Sequence, residues 1–145
     1  MIMFIAVMAL SVTVVTVFKN VVDDTTTSLK IQGDAVSNSL KTDITIESMS
    51  YSNITDITSV GLRNTGRTKL DISMVDIYLD GEYIPRNDTN RTIIIEPTTD
   101  VRNPGIWDTN EIVTIEIFKT LQDGDHVLAI SSQYSYYVED IFASP

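Results

Sequence analysis

The first eighteen residues, MIMFIAVMALSVTVVTVF, carry no charged side chain, whereas all 10 Lys and Arg and all 20 Asp and Glu residues follow them. As an α-helix this run would extend about 27 Å, which nearly spans a hydrocarbon core of about 30 Å. A helix that is apolar on every face must be covered by lipid or by protein. Its candidate covered residues are Ile2, Phe4, Ile5, Val7, Met8, Leu10, Val12, Val14, Val15, Val17 and Phe18.

Four explanations of this run compete. A cleavable secretory signal normally has a basic segment before its apolar stretch and small residues at the cut, whereas here Met1 begins the apolar run and Lys19 and Asn20 follow it. A buried helix of a globular core is rarely uncharged all round. The run therefore favours a membrane anchor or the core of a polymer in which the helices of many subunits pack together.

Beyond the apolar run, hydrophobic residues recur at helical spacing up to about residue 41. The intervals are three, four and seven residues, which is typical of one narrow face of a continuous helix. We predict a helix over 1–41, with an apolar half at 1–18 and an amphipathic spacer at 19–41. Its stripe packs either against its own domain or against other subunits. The stripe consists of Val15, Phe18, Val22, Leu29, Val36 and Leu40.

From Thr42 the hydrophobic period changes from about 3.6 to 2, which predicts a separate β domain over 42–145. Val75, Ile77 and Leu79 alternate with polar residues before the Asp80-Gly81 hairpin signal. Seven or eight strands with turn signals between them and no second helix are typical of an antiparallel sandwich. The predicted fold class is α+β: a long N-terminal hydrophobic helix followed by an immunoglobulin-like β-sandwich head.

The composition and motifs predict no catalysis, no cofactor and no metal centre. There is no cysteine, and His126 is the one histidine, so thiolate and multi-histidine metal sites are excluded. A net charge of −10 and a pI near 4.3 argue against a nucleic-acid partner. The pairs Asp76/Asp80 and Asp123/Asp125 fit solvated acidic turns better than weak Ca²⁺ sites. We expect a structural or solvent-facing role for His126.

Aromatic residues give two further expectations. Trp107, after a Pro-Gly pair, is expected to plug the core or the edge of the sandwich. Tyr134, Tyr136 and Tyr137 are expected to lie on both faces of one strand, where they offer a contact to another subunit.

Three Asn-x-Thr patterns begin at Asn53, Asn87 and Asn90. Such patterns are N-glycosylation acceptors on surface loops of exported proteins, and asparagine is also an ordinary turn former. Two of the three are adjacent in one predicted loop. The sequence therefore indicates an extracellular surface with three candidate glycan sites.

The apolar helix, its amphipathic continuation and the β head together resemble the type IV pilin-like proteins of archaea, and more specifically the F and G accessory proteins of the archaellum, the archaeal flagellum. The resemblance spans most of the chain as short motifs in a common order. Those motifs are GDAVSNSLKTDITI (33–46), LRNTGRTKLD (62–71), VDIYLDGEYI (75–84), Trp107 with NEIVTIEI (110–117), and LQDGDHVLAI (121–130).

This resemblance implies a non-enzymatic protein at the archaeal cell surface. Archaellins polymerise through such a helix into a homo-oligomeric helical filament, after a stage in the membrane. The F and G proteins are instead membrane-anchored, stator-like accessories whose heads contact the surface layer and other archaellum subunits. Members of these groups usually carry residues before the apolar run, so the start at Met1 predicts either a processed product or a shortened start.

Overall fold

The computed structural model describes residues 26–28 and 30–145. Residues 26–28 and 30–41 are helical, and the chain divides into two units between Ser37 and Asn38. All eight strands belong to the second unit. The predicted polymer core or anchor at 1–18 lies outside the described residues, as do Val22 and Leu29 of the stripe. Within 26–28 and 30–145, no helix is long and apolar enough to cross a bilayer.

The second unit is a sandwich of two four-stranded antiparallel sheets, as the sequence predicted. The first sheet has the order β1-β2-β6-β5 and the second has the order β4-β3-β7-β8. This is the A-B-E-D and C′-C-F-G order of immunoglobulin domains. The strands are β1 (Ile44–Ser52), β2 (Ile57–Asn64), β3 (Asp76–Leu79), β4 (Glu82–Ile84), β5 (Arg91–Ile95), β6 (Ile112–Phe118), β7 (Gly124–Ser131) and β8 (Tyr137–Ser144).

The core lies between the two sheets, because each strand turns alternate apolar side chains inward. In β6 the inward residues Val113, Ile115 and Ile117 are fully buried, and in β3 Ile77 and Leu79 are fully buried. The period-two pattern therefore predicted the buried face of these strands correctly. The second sheet adds Leu128 and Ile130 from β7 and Phe142 from β8.

A β-bulge explains the irregular alternation in the first strand. The register of β1 against β2 shifts between Ile46 and Ser48, so the inward positions change from even to odd numbers. Ile44 and Ile46 precede the shift, and Met49 and Tyr51 follow it. All four pack in or against the core.

The hairpin between β3 and β4 turns at Asp80-Gly81, as predicted. Both residues have positive φ, 52° at Asp80 and 79° at Gly81, which is the conformation of a two-residue type I′ turn. Asp80 also donates its backbone N–H to the carbonyl of Val127 at 2.8 Å. The turn is thereby fixed to β7 as well as to its own hairpin.

Trp107 plugs one end of the sandwich, as expected from its position after Pro-Gly. The indole is fully buried and donates its Nε1–H to the carbonyl of Glu111 at 2.8 Å. Trp107 also forms an isolated antiparallel bridge with Leu70, with N···O distances of 3.0 and 3.1 Å. The 103–111 loop is thus closed over the core by backbone pairing.

Asn64, the last residue of β2, connects this loop to the chain that follows β2. Its fully buried amide donates from Nδ2 to the carbonyls of Thr68 at 2.8 Å and Trp107 at 3.1 Å. Its Oδ1 accepts the backbone N–H of Gly66 at 3.1 Å. One side chain therefore satisfies three buried backbone groups of two separate segments.

Gly66 allows the chain after β2 to pass against the segment at the end of the helix. Its N–H donates to the carbonyl of Asp43 at 3.0 Å, and the N–H of Arg67 donates to the carbonyl of Lys41 at 2.8 Å. A Cβ at position 66 would lie 2.4 Å from the backbone nitrogen of Asp43. The turn signal at Asn64-Thr65-Gly66 thus marks a close backbone approach.

The expectation that three tyrosines share one strand is wrong. Residues 132–136 form an irregular turn between β7 and β8, with Ser135 at a φ of 59°, and only Tyr137 lies in a strand. Tyr134 and Tyr136 pack against the core instead. The Tyr136 hydroxyl donates to the carboxylate of Asp43 at 2.6 Å, which holds this turn beside the start of β1.

We expect Asn64→Ala to lower the free energy of unfolding by about 1 to 3 kcal/mol, because it leaves the buried carbonyl of Thr68 without its partner and removes one of two bonds at the Gly66 N–H and the Trp107 carbonyl. Denaturant unfolding followed by the fluorescence of Trp107, the one tryptophan, measures this loss. The exposed Asn53→Ala is the control and should change stability by about 0.5 kcal/mol or less. A loss at Asn64 no larger than that of the control would contradict the role assigned to its amide.

Candidate functional surfaces

The described part of the chain contains no group of three or more His, Cys, Asp or Glu residues that could hold a metal ion. Of the acidic pairs considered from the sequence, Asp76 is engaged by Arg86 at 2.8 Å and Asp80 by His126 at 2.7 Å. Asp123 and Asp125 are exposed beside the start of β7. Asp123 and Asp125 are thus exposed to solvent, whereas Asp76 and Asp80 are held in ion pairs that the sequence did not predict.

His126 links three segments at the β3–β4 end of the second sheet. Its Nδ1 lies 2.7 Å from Asp80 Oδ2, and its Nε2 lies 2.8 Å from the carbonyl of Gln122 and 3.2 Å from Ser144 Oγ. An imidazolium donates from both nitrogens to the carboxylate and the carbonyl at once. His126 thereby clamps the β3–β4 hairpin, the segment before β7 and the end of β8 together.

The electrostatics of this pair favour the doubly charged state. The hydrogen bond that His126 donates to Asp80, with the one it donates to the carbonyl of Gln122, raises the pKa of His126 above its ordinary 6.5. Burial acts to raise the pKa of Asp80, but the hydrogen bonds from His126 and from the Val127 N–H outweigh it and leave that pKa below its ordinary 3.8. Both residues are therefore charged at mildly acidic pH.

The three glycosylation candidates differ in their exposure and in the bonds of their side chains. Asn53 begins the exposed turn 53–56 between β1 and β2, where the neighbouring Ile54 is 91% exposed. Such a protruding turn gives a modifying enzyme access to the asparagine amide. Asn53 is thus presented at the tip of a hairpin.

Asn87 and Asn90 are held in one turn. Asn87 Oδ1 accepts the backbone N–H groups of Thr89 at 3.1 Å and Asn90 at 3.0 Å, and it accepts Asn90 Nδ2 at 2.7 Å. The Nδ2 of Asn90 is thus used in a hydrogen bond. Among the described residues, no hydrogen bond involves the Nδ2 of Asn87. Asn90 also precedes Arg91, which is only 4% exposed.

Apolar side chains are exposed on the helical residues. Ile31 is 64% exposed, Val36 is 60% exposed and Leu40 is 82% exposed. Val36 and Leu40 belong to the stripe defined from the sequence. In the single chain these two residues of the stripe are therefore left in contact with water.

The outer face of the second sheet carries a second group of exposed apolar side chains. Val127 and Ile141 are paired neighbours on β7 and β8, at 39% and 63% exposed, and Tyr137 lies on the same face at 55%. Tyr83 is 42% exposed and its ring centroid lies 5.6 Å from that of Tyr78. Of the three tyrosines Tyr134, Tyr136 and Tyr137, only Tyr137 is exposed on this outer face, where the predicted contact with another subunit would be made.

A sequence model of the archaeal-type flagellin family matches residues 1–136. The chain belongs to the archaeal-type flagellin family. An uncharacterized protein of Archaeoglobus fulgidus is 31% identical to this family member over 110 residues, which cover 71% of this chain and 68% of the relative. The family match includes the apolar run, the spacer and most of the head.

Solved structures of archaellum proteins share the fold of this flagellin-family chain at 15% identity. The archaellum periplasmic stator protein FlaG of Sulfolobus acidocaldarius has a TM-score of 0.56 and aligns over 70% of this chain and 99% of its own. The FlaF and FlaG stator complex of the same organism has a TM-score of 0.54 over 68% and 87%. The archaeal flagellum of Methanospirillum hungatei has a TM-score of 0.51 over 94% and 88%. These names describe stator proteins and a flagellum, none of them an enzyme.

We expect the stabilisation from His126 to depend on pH. Because its folded pKa is raised, protonated His126 stabilises the fold below pH 6.5, and this contribution disappears as pH rises through the raised pKa. His126→Gln should therefore be less stable than the unchanged protein at pH 5.5 and nearly equal at pH 9. The difference should be below about 1 kcal/mol, since Asp80 is 45% exposed.

Denaturant unfolding at the two pH values measures this difference, and Asp80→Asn is the matched variant. Asp80→Asn should reduce the pH dependence of the free energy of unfolding to the same extent as His126→Gln does. A destabilisation by His126→Gln that is equal at both pH values would show that packing, and not charge, accounts for the effect.

Proposed function

We propose that this protein is a structural subunit of an archaeal surface filament of the archaellum type, which polymerises through its N-terminal segment. The observation that carries the proposal is the archaeal-type flagellin match over residues 1–136, which includes the uncharged run 1–18 as well as the head. In such a filament the apolar run is covered by the same run of other copies. Burial of apolar surface contributes about 25 cal/mol per Å², so this contact dominates assembly.

The exposed stripe of the helical residues supports contacts between copies. Val36 and Leu40 continue the apolar spacing into a region where the single chain leaves them exposed. Ala6, Ala9 and Ser11 also place small residues in the apolar run, and small residues favour close packing of one helix on another. Head-to-tail contacts that repeat without closing generate a filament, and the acidic head faces the solvent.

A second candidate function is a membrane-anchored accessory protein of the archaellum. The observation that favours it is the structural likeness of the head to FlaG, which aligns over 99% of its own length with a TM-score of 0.56. In this case lipid covers residues 1–18, and the head binds a surface-layer protein or another archaellum subunit. The outer face of the second sheet, with Tyr137 and Ile141, is the candidate binding surface.

Negative-stain electron microscopy of the full-length protein from its own cells distinguishes the two functions. Long filaments whose main protein band is this chain support the filament subunit. Single particles released only by detergent, with no filaments built from this chain, support the anchored accessory protein and contradict the first proposal.

We propose that Asn53 and Asn87 are glycosylated and that Asn90 is not. Asn53 lies on an exposed turn, and the bonds made by Oδ1 of Asn87 hold that side chain while leaving its Nδ2 available. Asn90 uses its Nδ2 to bond to Asn87 and is followed by a buried arginine at the start of β5.

We expect Val7→Asp or Val14→Asp to abolish filaments, because a buried, unpaired carboxylate in the apolar core costs several kcal/mol per subunit. The head at 42–145 should stay folded, as judged by the near-ultraviolet circular dichroism of Trp107. Val101→Asp, at an exposed position of the head, is the control and should leave filaments unchanged. Normal filaments from both core variants would contradict the polymer-core assignment.

We expect Asn53→Gln and Asn87→Gln each to lower the intact mass of the protein from its own cells by one glycan, because these amides are the accessible acceptors. Asn90→Gln should change the mass only by the substitution itself. Intact-mass spectrometry measures all three. A glycan lost with Asn90→Gln but retained in Asn87→Gln would contradict the assignment from side-chain bonding.

A further inference from the structure

Arg91 is a buried cation without an acidic partner. It begins β5 with its side chain turned into the sandwich, and the residue is only 4% exposed. None of the five ion pairs among the described residues includes it. The guanidinium donates from Nη2 to the carbonyl of Val75 at 2.7 Å, whereas Nη1 is buried with no hydrogen-bond partner.

An unpaired guanidinium in such a position is unusual in a folded protein. Buried charges are normally paired, because desolvation of an ion that lacks compensation opposes folding. Desolvation lowers the pKa of Arg91 from its ordinary 12.5, and the positive charge of Arg86 acts in the same direction, whereas Tyr83 and Asp76 act to raise it. The arginine nevertheless stays protonated, since guanidinium groups do not lose their proton in proteins.

A recess of about 260 Å³ lies at this arginine and opens to solvent. Two isoleucines form apolar walls, and a second arginine and a short polar loop form the rim. The residues that line it beside Arg91 are Ile72, Ser73, Arg86, Asn87, Asp88 and Ile93. The volume suits a small group and not a drug-sized ligand.

We propose that this recess is an anion site that binds a carboxylate, with the guanidinium of Arg91 as its charge partner. A carboxylate presents two acceptor oxygens in a plane, which matches the fork of a guanidinium and gives Nη1 its missing partner. The apolar walls at Ile72 and Ile93 lower the local dielectric and strengthen the contact.

The charges around the recess disfavour a doubly charged ligand. Arg86 lines the rim, but it already forms an ion pair with Asp76 at 2.8 Å. Asp88 lines the same rim and repels a second anion. The four charges at the recess therefore sum to zero, so a ligand is attracted only by direct contact with the guanidinium of Arg91, which favours a carboxylate over a dianionic phosphate.

Entry requires movement of a side chain at the rim, because Nη1 itself is covered. Arg86 is one such side chain: 36% of it is exposed, and its movement would break its bonds to Asp76 and to the carbonyl of Met74. The carboxylate has two sources: an Asp or Glu side chain of another copy, or a free carboxylic acid such as an acidic sugar. The site itself does not rest on filament assembly.

The test uses full-length protein and sodium acetate as the probe, against sodium chloride at equal ionic strength and pH 7. Acetate at about ten times its Kd should raise the unfolding midpoint by about 5 to 10 °C, with saturation, through its preferential binding to the folded state. Arg91→Met should lose the saturable shift, and Arg102→Met, at an exposed arginine, should keep it. Asp88→Asn should lower the acetate concentration at half-effect.

A second measurement observes the arginine directly in the unchanged protein. In protein labelled with ¹⁵N-arginine, one Nε–Hε signal, assigned by its loss in Arg91→Lys, should shift with acetate over the same concentration range. An acetate shift of the midpoint that is equal in the unchanged protein and Arg91→Met would overturn the proposal. The absence of a shifting arginine signal would also overturn it.

The state of assembly distinguishes the two sources. If a neighbouring copy supplies the carboxylate, acetate raises the midpoint of dispersed protein and leaves that of assembled protein unchanged. If a free acid is the ligand, both forms respond to acetate. Either result supports the site, and neither depends on whether the assembled form is a filament.

Discussion

The hydrogen bonds of one buried amide, that of Asn64, hold together the parts of the head that strand pairing alone leaves separate. They connect the end of β2, the extended chain at 65–70 and the loop that carries Trp107. Without the amide, the buried carbonyl of Thr68 would be desolvated without a partner, which costs more than the bond contributes when made. The amide also adds a second bond to the Gly66 N–H, which approaches Asp43, and to the Trp107 carbonyl, which pairs with Leu70.

The charge of the head constrains how copies of this protein can meet. A net charge of −10 makes heads repel one another at low ionic strength, so contacts between copies must come from apolar surface or from local cations. Three surfaces meet this condition. The exposed helical residues include Val36 and Leu40, the outer face of the second sheet carries Val127 and Ile141, and the recess holds Arg91. The proposed filament uses the first, and the anchored alternative uses the second.

Strand positions followed from the sequence wherever burial alternates cleanly, as at Val75, Ile77 and Leu79, because a half-buried strand imposes a period of two. The bulge in β1 was visible only as an uneven pattern, since two residues there face one on the neighbouring strand. The tyrosines near residue 135 were misplaced because Ser135 adopts a positive φ that a strand pattern does not reveal. The burial of Arg91 was not predicted from the sequence. An arginine at the start of a β-branched run is typical of a solvated strand end.

The sequence by itself determined the family, the uncharged opening run, the antiparallel sandwich and the three Asn-x-Thr patterns, because each is a matter of residue type and spacing along the chain. Only the tertiary structure decided which side chains of distant segments meet. It paired His126 with Asp80, bonded Asn90 to Asn87 while leaving the Nδ2 of Asn87 available, and buried Arg91 beside a recess without giving it an ion-pair partner. These outcomes depend on the packing of two sheets and on loop closure, and a linear pattern carries no information about contacts that cross from one sheet to the other.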